Sequence, residues 1–389
     1  MSLASAPEEN TSGPRKTVMI VAGEASGDGH GARLVRALQK RSGAPIRFVG
    51  IGGRALQNAG MEVVVDASSL SVVGITEVFA KAGNILKGMA AAKRVLKIRR
   101  PDLLILIDFP DFNLHLAGFA KKVGVPVLYY ISPQVWAWRS GRVRTIARRV
   151  DHMAVILPFE QHFYQRHQVP VTFVGHPLMD RPHQLPAADA NDPSEPVSVI
   201  GLLPGSRDGE VEKLLPEMLK AANLLQKRYA GLSFLISLSD SVNETRVRNI
   251  LNRHRGRATV EIVDQGVEAV FQRSGFVIAA SGTVTLEAAI AGIPMVIIYK
   301  VSPVSYRLGK ALIRVDHISL VNLISGKRLV PELIQADASP MKIADTVEKM
   351  LSNTSGLKRI REELVMIRER LGGPGASDRV AQIALNLLR

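Results

Sequence analysis

TVMIVAGEASGDGHG, Thr17 to Gly31, is an unbroken apolar run that empties into a glycine-rich turn. Val, Met, Ile and Ala in succession, without alternation, mark a strand buried on both faces, as in a parallel sheet. The clustered glycines allow the backbone to approach a ligand, and a helix starting there offers free N–H groups to an anion. The same unit recurs along the chain. Strands are expected at Thr17–Ala22, Arg47–Gly50, Leu103–Asp108, Val127–Tyr130, Met153–Ile156 and Thr172–Val174. Amphipathic stretches at Gly31–Lys40, Ala80–Ile98, Leu114–Val123 and Phe159–His167 supply the intervening helices.

Pro182, Pro186, Pro193 and Pro196 then interrupt the pattern and read as an exposed linker. Beyond it the alternation restarts, with strands at Val197–Leu203, Phe234–Leu238, Thr259–Val263, Phe276–Ala279 and Met295–Ile298. Helices fit Val211–Tyr229, Asn243–Asn252, Val267–Gln272, Thr283–Ala291 and Val304–Ile313, and the end from Lys342 is helical. The organisation expected is a disordered tail over 1–15, an α/β domain over 16–180, a linker over 181–196, a second α/β domain over 197–350 and helices over 351–389. Open α/β sheets bind ligands beyond the carboxyl ends of their strands, so the chemistry is expected at those ends.

The composition narrows the choices. The 389 residues contain no cysteine, which excludes disulfides, thiolate metal sites and a cysteine nucleophile. Fifty Lys and Arg against 35 Asp and Glu leave a net charge of +15, suited to a polyanion, an anionic membrane or a phosphorylated ligand. Aromatics at 5% provide few stacking platforms for single-stranded nucleic acid. No apolar run approaches the ~20 residues of a spanning helix, and the first residues hold no apolar signal core. A cytoplasmic protein is expected.

In the first half, Gly27-x-Gly29-x-x-Ala32 fits a dinucleotide fingerprint, but the second strand ends Gly50-Ile51-Gly52-Gly53 without the acid that would hold a ribose. Asp108 ends an apolar strand in IDFPDFN and is a general-base candidate; Asp111 has the position of a helix cap. Gln134 and Trp136 lie in SPQVWAWR, where indole faces suit sugar or acyl surfaces. Leu70–Phe79, with Val72, Val73, Ile75 and Phe79, is either a buried helix start or a patch that enters a bilayer. In the second half, Gly205-Ser206-Arg207 suits a phosphate group. Ser281-Gly282-Thr283 opens a helix whose N-terminus can take a pyrophosphate, with Glu287 one turn in and available to a ribose diol. There is neither a P-loop nor a D-x-D cluster, so a nucleotide would be neutralised by protein dipoles without a metal.

The runs VAGEASGDGHGARL, IDFPDFN, SPQVWAWR, FVGHP, LLPGSR, SGTVTLEAAIAGIPMVIIYK and SLVNLISGKRLVPELIQ, in order from Val21 to Gln335, resemble the lipid-A-disaccharide synthase family. The resemblance implies a GT-B glycosyltransferase with two Rossmann-like domains facing across a cleft, the first binding acceptor and the second UDP-sugar. It implies inverting transfer of 2,3-diacylglucosamine from UDP-2,3-diacylglucosamine to 2,3-diacylglucosamine 1-phosphate, giving the β-1,6 disaccharide 1-phosphate and UDP. On that footing Asp108 is the base, and Asn322 and Gln335 join Gly205, Ser206, Arg207, Ser281, Gly282, Thr283 and Glu287 on the donor side. Glu24, Ser26, Asp111, Asn113, Gln134 and Trp136 form the acceptor side. The expectation is no cofactor, no metal and no nucleic acid, in a monomer or homodimer. It would work peripherally on the anionic inner face of the inner membrane of a Gram-negative cell. The alternative is a UDP-sugar transferase or epimerase with a soluble acceptor.

Overall fold

The computed structural model describes residues 16–70, 75–138, 140–180, 196–239, 241–254, 256–303, 306–307 and 315–388. The chain divides into two compact units, one comprising Met1–Asp180 with Gly373–Arg389, the other Arg181–Gly372.

The first unit runs β1 (Thr17–Ala22), α1 (Ala25–Arg41), β2 (Arg47–Gly52), α2 (Arg54–Asn58), β3 (Met61–Asp66), α3 (Ile75–Arg99), β4 (Leu103–Ile107), α4 (Pro110–Lys122), β5 (Val127–Tyr130), α5 (Val143–Arg149), β6 (His152–Val155), α6 (Pro158–Arg166) and β7 (Val171–Phe173). Its strands form one parallel sheet in the order β3-β2-β1-β4-β5-β6-β7. Successive residues of a strand point to opposite faces. Met19, Val21, Leu104 and Leu106 therefore enter one core, and Val18, Ile20, Ile105 and Ile107 the other. Burial on both faces is why the sequence reads as continuous apolar runs.

The second unit continues with β8 (Val199–Leu203), α7 (Asp208–Arg228), β9 (Ser233–Ser237), α8 (Glu244–Arg253), β10 (Val260–Val263), α9 (Val267–Arg273), β11 (Phe276–Ala280), α10 (Thr283–Ile290), β12 (Met295–Tyr299), α11 (Leu320–Ser325), β13 (Glu332–Ile334), α12 (Pro340–Leu351) and α13 (Thr354–Arg370). Its parallel sheet has the order β10-β9-β8-β11-β12-β13. The last helix, α14 (Ala376–Leu387), belongs to the first unit, where Val380, Ala381 and Ala384 complete the core beside α1. Asp180 fixes its start: the carboxylate accepts the N–H groups of Gly375 at 2.7 Å and Ala376 at 3.0 Å.

Both sheets reverse their winding once, between β1 and β4 and between β8 and β11. Such switch points are where open α/β sheets leave a crevice. Asp108 and Glu24 follow β4 and β1; Gly205–Arg207 and Ser281–Thr283 follow β8 and β11.

The structure corrects the reading of the first glycine-rich turn. Helix α1 begins at Ala25, six residues earlier than the expected Gly31, so Ser26 to His30 are helical. The glycines serve packing: a Cβ on Gly31 would stand 3.0 Å from Leu56, and one on Gly27 3.5 Å from the Ala22 Cβ. Asp28, nearly buried, accepts the N–H groups of Gly53, Ala55 and Leu56 at 2.6, 2.9 and 3.2 Å, capping α2. Strands β3 and β13 were not expected. Both lie at sheet edges and are only partly buried. The helix expected at Val304–Ile313 lies mostly outside the described residues, as do Val72 and Val73. Ile75 and Phe79 fall in the first turns of α3, where the side chains are outside the described ones.

Candidate functional site

Each unit has one centre, at its own switch point. In the first, β4 stops at Ile107 and the chain enters two successive left-handed residues, Asp108 (φ 47°) and Phe109 (φ 49°), before Pro110 opens α4. A side chain in this region costs on the order of 1–3 kcal/mol of backbone strain, and such residues concentrate at active sites. The Asp108 side chain at this strand end is half-buried. Burial, followed by repulsion from the Glu24 carboxylate, pushes Asp108 up to about 6. That value suits a group that accepts a proton near neutral pH.

Glu24 and Ser26 are exposed between the end of β1 and the first turn of α1. Gly23 brings that segment against β4: a Cβ there would stand 2.3 Å from the Phe109 ring. Phe109 in turn stacks on Phe112 at 5.1 Å. Asp111 is exposed in the first turn of α4 and pairs with Arg142. Asn113 is wholly buried, and its amide donates to the carbonyls of Asp108 at 2.6 Å and Ile107 at 3.3 Å. Its amide nitrogen is thus engaged by the protein's own backbone.

Gln134 is exposed on the segment after β5, and Trp136 is half-buried. The Trp136 Nε1–H donates to Glu160 at 3.0 Å, and the indole meets the Phe159 ring edge-on at 4.8 Å. Glu160 escaped the sequence reading. It is 1% exposed, accepts the Leu157 N–H at 3.0 Å, and burial raises it to about 7. Its only sequence signal is a glutamate in the first turn of a helix opened by proline, a position ordinarily read as a cap. His176, 5% exposed, accepts the Leu178 N–H at 3.2 Å, and burial lowers it to about 4. It therefore stays neutral, consistent with a structural role.

In the second unit a pocket of about 720 Å³ opens at the ends of β8 and β11. Gly205, Ser206, Arg207, Ser281, Gly282, Thr283 and Glu287 all line it. So do Glu210, Ser239 and Glu268, which sequence reasoning had passed over. Helix α10 starts in its wall at Thr283, and the first N–H groups of a helix lack intrahelical partners and favour an anion. The Arg207 guanidinium is exposed and reaches Glu210 at 3.2 Å. Gly205 (φ 115°) makes the turn possible, since a Cβ there would stand 2.6 Å from the Glu210 carboxylate.

Asn322 and Gln335 are engaged with other residues of their own unit. Asn322 is wholly buried; it donates to Val330 O at 2.9 Å and Glu332 at 2.8 Å, and accepts the Val330 N–H at 3.0 Å. Gln335 (φ 55°) accepts the Val301 N–H at 2.7 Å and donates to its carbonyl at 3.1 Å. Among the described residues no group of three His, Asp or Glu side chains is arranged to hold a metal. No helix among them is long and apolar enough to cross a membrane.

The family model described as lipid-A-disaccharide synthetase matches residues 18–386. A lipid-A-disaccharide synthase of Geobacter metallireducens is 49% identical over 383 residues, covering 96% of this chain and 98% of the relative. Among solved structures, MurG of Acinetobacter baumannii gives a TM-score of 0.62 at 16% identity, covering 96% of this chain and 100% of that one. UDP-GlcNAc 2-epimerase of Neisseria meningitidis, bound to UDP-GlcNAc, gives 0.61 at 13% identity, covering 95% and 100%. At such identities the structural likeness concerns the fold, which is GT-B-like.

Proposed function

The chain belongs to the lipid-A-disaccharide synthase family and is a glycosyltransferase; from that premise we propose how its residues divide the reaction. The first unit holds the acceptor, 2,3-diacylglucosamine 1-phosphate, and the base that activates it. Asp108 takes the proton of the acceptor 6-hydroxyl, whose oxygen attacks the anomeric carbon of UDP-2,3-diacylglucosamine with inversion. Glu24, Ser26, Asp111, Gln134 and Trp136 surround the acceptor. The second unit holds UDP: Arg207 and the start of α10 meet the charge that develops on the departing diphosphate, with Gly205, Ser206, Ser281, Gly282 and Thr283 giving it a backbone cradle. Glu287 takes the ribose hydroxyls. Asn322 and Gln335 act on the donor side through the segments they brace.

One observation carries this reading: a strand-end carboxylate at a switch point, raised to about 6 by burial. The test is Asp108→Asn, which keeps shape and removes basicity. Turnover falls by at least ~10²-fold, the usual scale for a lost general base, while calorimetry finds UDP affinity unchanged. Near-normal turnover removes Asp108 from the role.

We also propose that the protein docks on the anionic face of the membrane, where acylated substrates reside at about 0.8 kcal/mol per buried CH₂. The net charge of +15 supports this, as do the exposed Leu86 and Ile98 of α3 and the apolar Val72, Val73, Ile75 and Phe79. In flotation, the protein rises with anionic vesicles at low salt, is partly released at high salt, and loses binding further when Val72 and Ile75 become Asp. A double variant that floats as well as the parent contradicts the docking.

A further inference from the structure

The left-handed turn at Asp108 is held from below. The Asp108 carbonyl accepts two hydrogen bonds, from the Tyr129 hydroxyl at 2.6 Å and from the Asn113 amide at 2.6 Å. The same Asn113 amide also reaches Ile107 O at 3.3 Å, and the Asp108 N–H donates to Tyr130 O at 3.3 Å. Tyr129 stands on β5, paired with Leu106 of β4, and its ring is fully buried. As core packing, the site asks only for an aromatic ring; phenylalanine would fill the same space. The hydroxyl adds one thing, a bond to the backbone of the residue that carries the reactive carboxylate. Burial holds this hydroxyl well above its ordinary value, so it remains a donor.

Two adjacent non-glycine residues in the left-handed region would relax if nothing opposed it. Relaxation would swing the carboxyl away from the direction the strand end imposes. Gly23 under the Phe109 ring restrains the second of the two residues. Tyr129 and Asn113 restrain the first.

We infer that Tyr129 and Asn113 are positioning residues for the glycosyl transfer, acting through the Asp108 carbonyl to keep the base aimed at the acceptor hydroxyl. Both side chains are buried beneath the turn. The inference rests on Asp108 being the base and adds two residues to that assignment.

The experiment is a double-mutant cycle with the full chain and both acylated substrates. Tyr129→Phe lowers kcat by roughly 10- to 100-fold, the scale of a misaimed reacting group. The KM values for donor and acceptor stay within about twofold, because the loss is confined to the transition state. In an Asp108→Asn background, adding Tyr129→Phe changes the residual rate less than ~2-fold, since residues acting as one unit are not additive. Asn113→Ser repeats the cycle from the other donor and carries the test should Tyr129→Phe fail to fold. Wild-type kcat in Tyr129→Phe overturns the inference. So does an equal loss in both backgrounds, which marks a general structural role. If Asp108→Asn itself turns over normally, the base assignment has failed; if it is crippled and Tyr129→Phe is normal, only the positioning role has.

Discussion

The end of β4 in the first unit and the ends of β8 and β11 in the second are equivalent places in two similarly wound sheets, and they are built in opposite ways. At β4 the chain puts bulk and strain around one carboxylate: two left-handed residues, a stacked Phe pair and two donors beneath. At β8 and β11 glycines, serines and a threonine open a pocket with a helix start in its wall, and Arg207, Glu210, Glu268 and Glu287 stand around it. A base works through one atom, whose aim and desolvation set the rate. A diphosphate is large, flexible and charged, and is held by many backbone groups at once. On the proposed assignment, the same architecture serves proton transfer in the crowded place and anion binding in the open one.

Glycine substitutions sharpen the contrast most. Gly23→Ala places a Cβ against the Phe109 ring, 2.3 Å away before relaxation. It should lower kcat by about 10²-fold, as misplacement near a reacting group does, and leave UDP affinity intact. Gly205→Ala does the reverse: with φ at 115° and Glu210 2.6 Å from the new Cβ, UDP affinity falls by roughly tenfold, the scale of ~1–3 kcal/mol of backbone strain. Turnover at saturating donor changes much less. Steady-state kinetics and calorimetry on both variants decide it, and the contrast breaks if each substitution damages both properties alike.

Single side chains of the second unit's pocket bear on UDP affinity alone. Arg207→Ala and Glu287→Ala should each weaken UDP by roughly 1.5–3 kcal/mol, the value of a charge-assisted hydrogen bond. Unchanged affinity by calorimetry takes either residue out of the nucleotide site.

Much of this was legible in the order of residues. β1 and β5 begin and end where expected, because strands buried on both faces read as near-continuous apolar runs. The glycine, serine and threonine lining of the second unit's pocket was legible because those residues directly follow apolar strands, whereas Glu210, Ser239 and Glu268 carried no such signal. The start of α1 was misread because Ser26, Gly27, Asp28 and Gly29 look like a turn, while their glycines serve close packing and Asp28 caps a different helix. The supports of Asp108 and Trp136 were invisible. Tyr129 and Glu160 act on partners 21 and 24 residues away in the chain, and nothing local distinguishes them from an ordinary core tyrosine and a helix-start glutamate.

The central claim is that Asp108 is a base whose burial raises it into the working range. Only the ionised carboxylate accepts a proton, so activity must be lost as the medium acidifies through its pKa. The most direct measurement is the pH dependence of kcat/KM. The expected profile shows a single-proton decline on the acid side with its midpoint near 6, and Asp108→Asn lacks that step. A profile that stays level down to the ordinary carboxylate value of 3.8, or a step that persists unchanged in Asp108→Asn, contradicts the assignment.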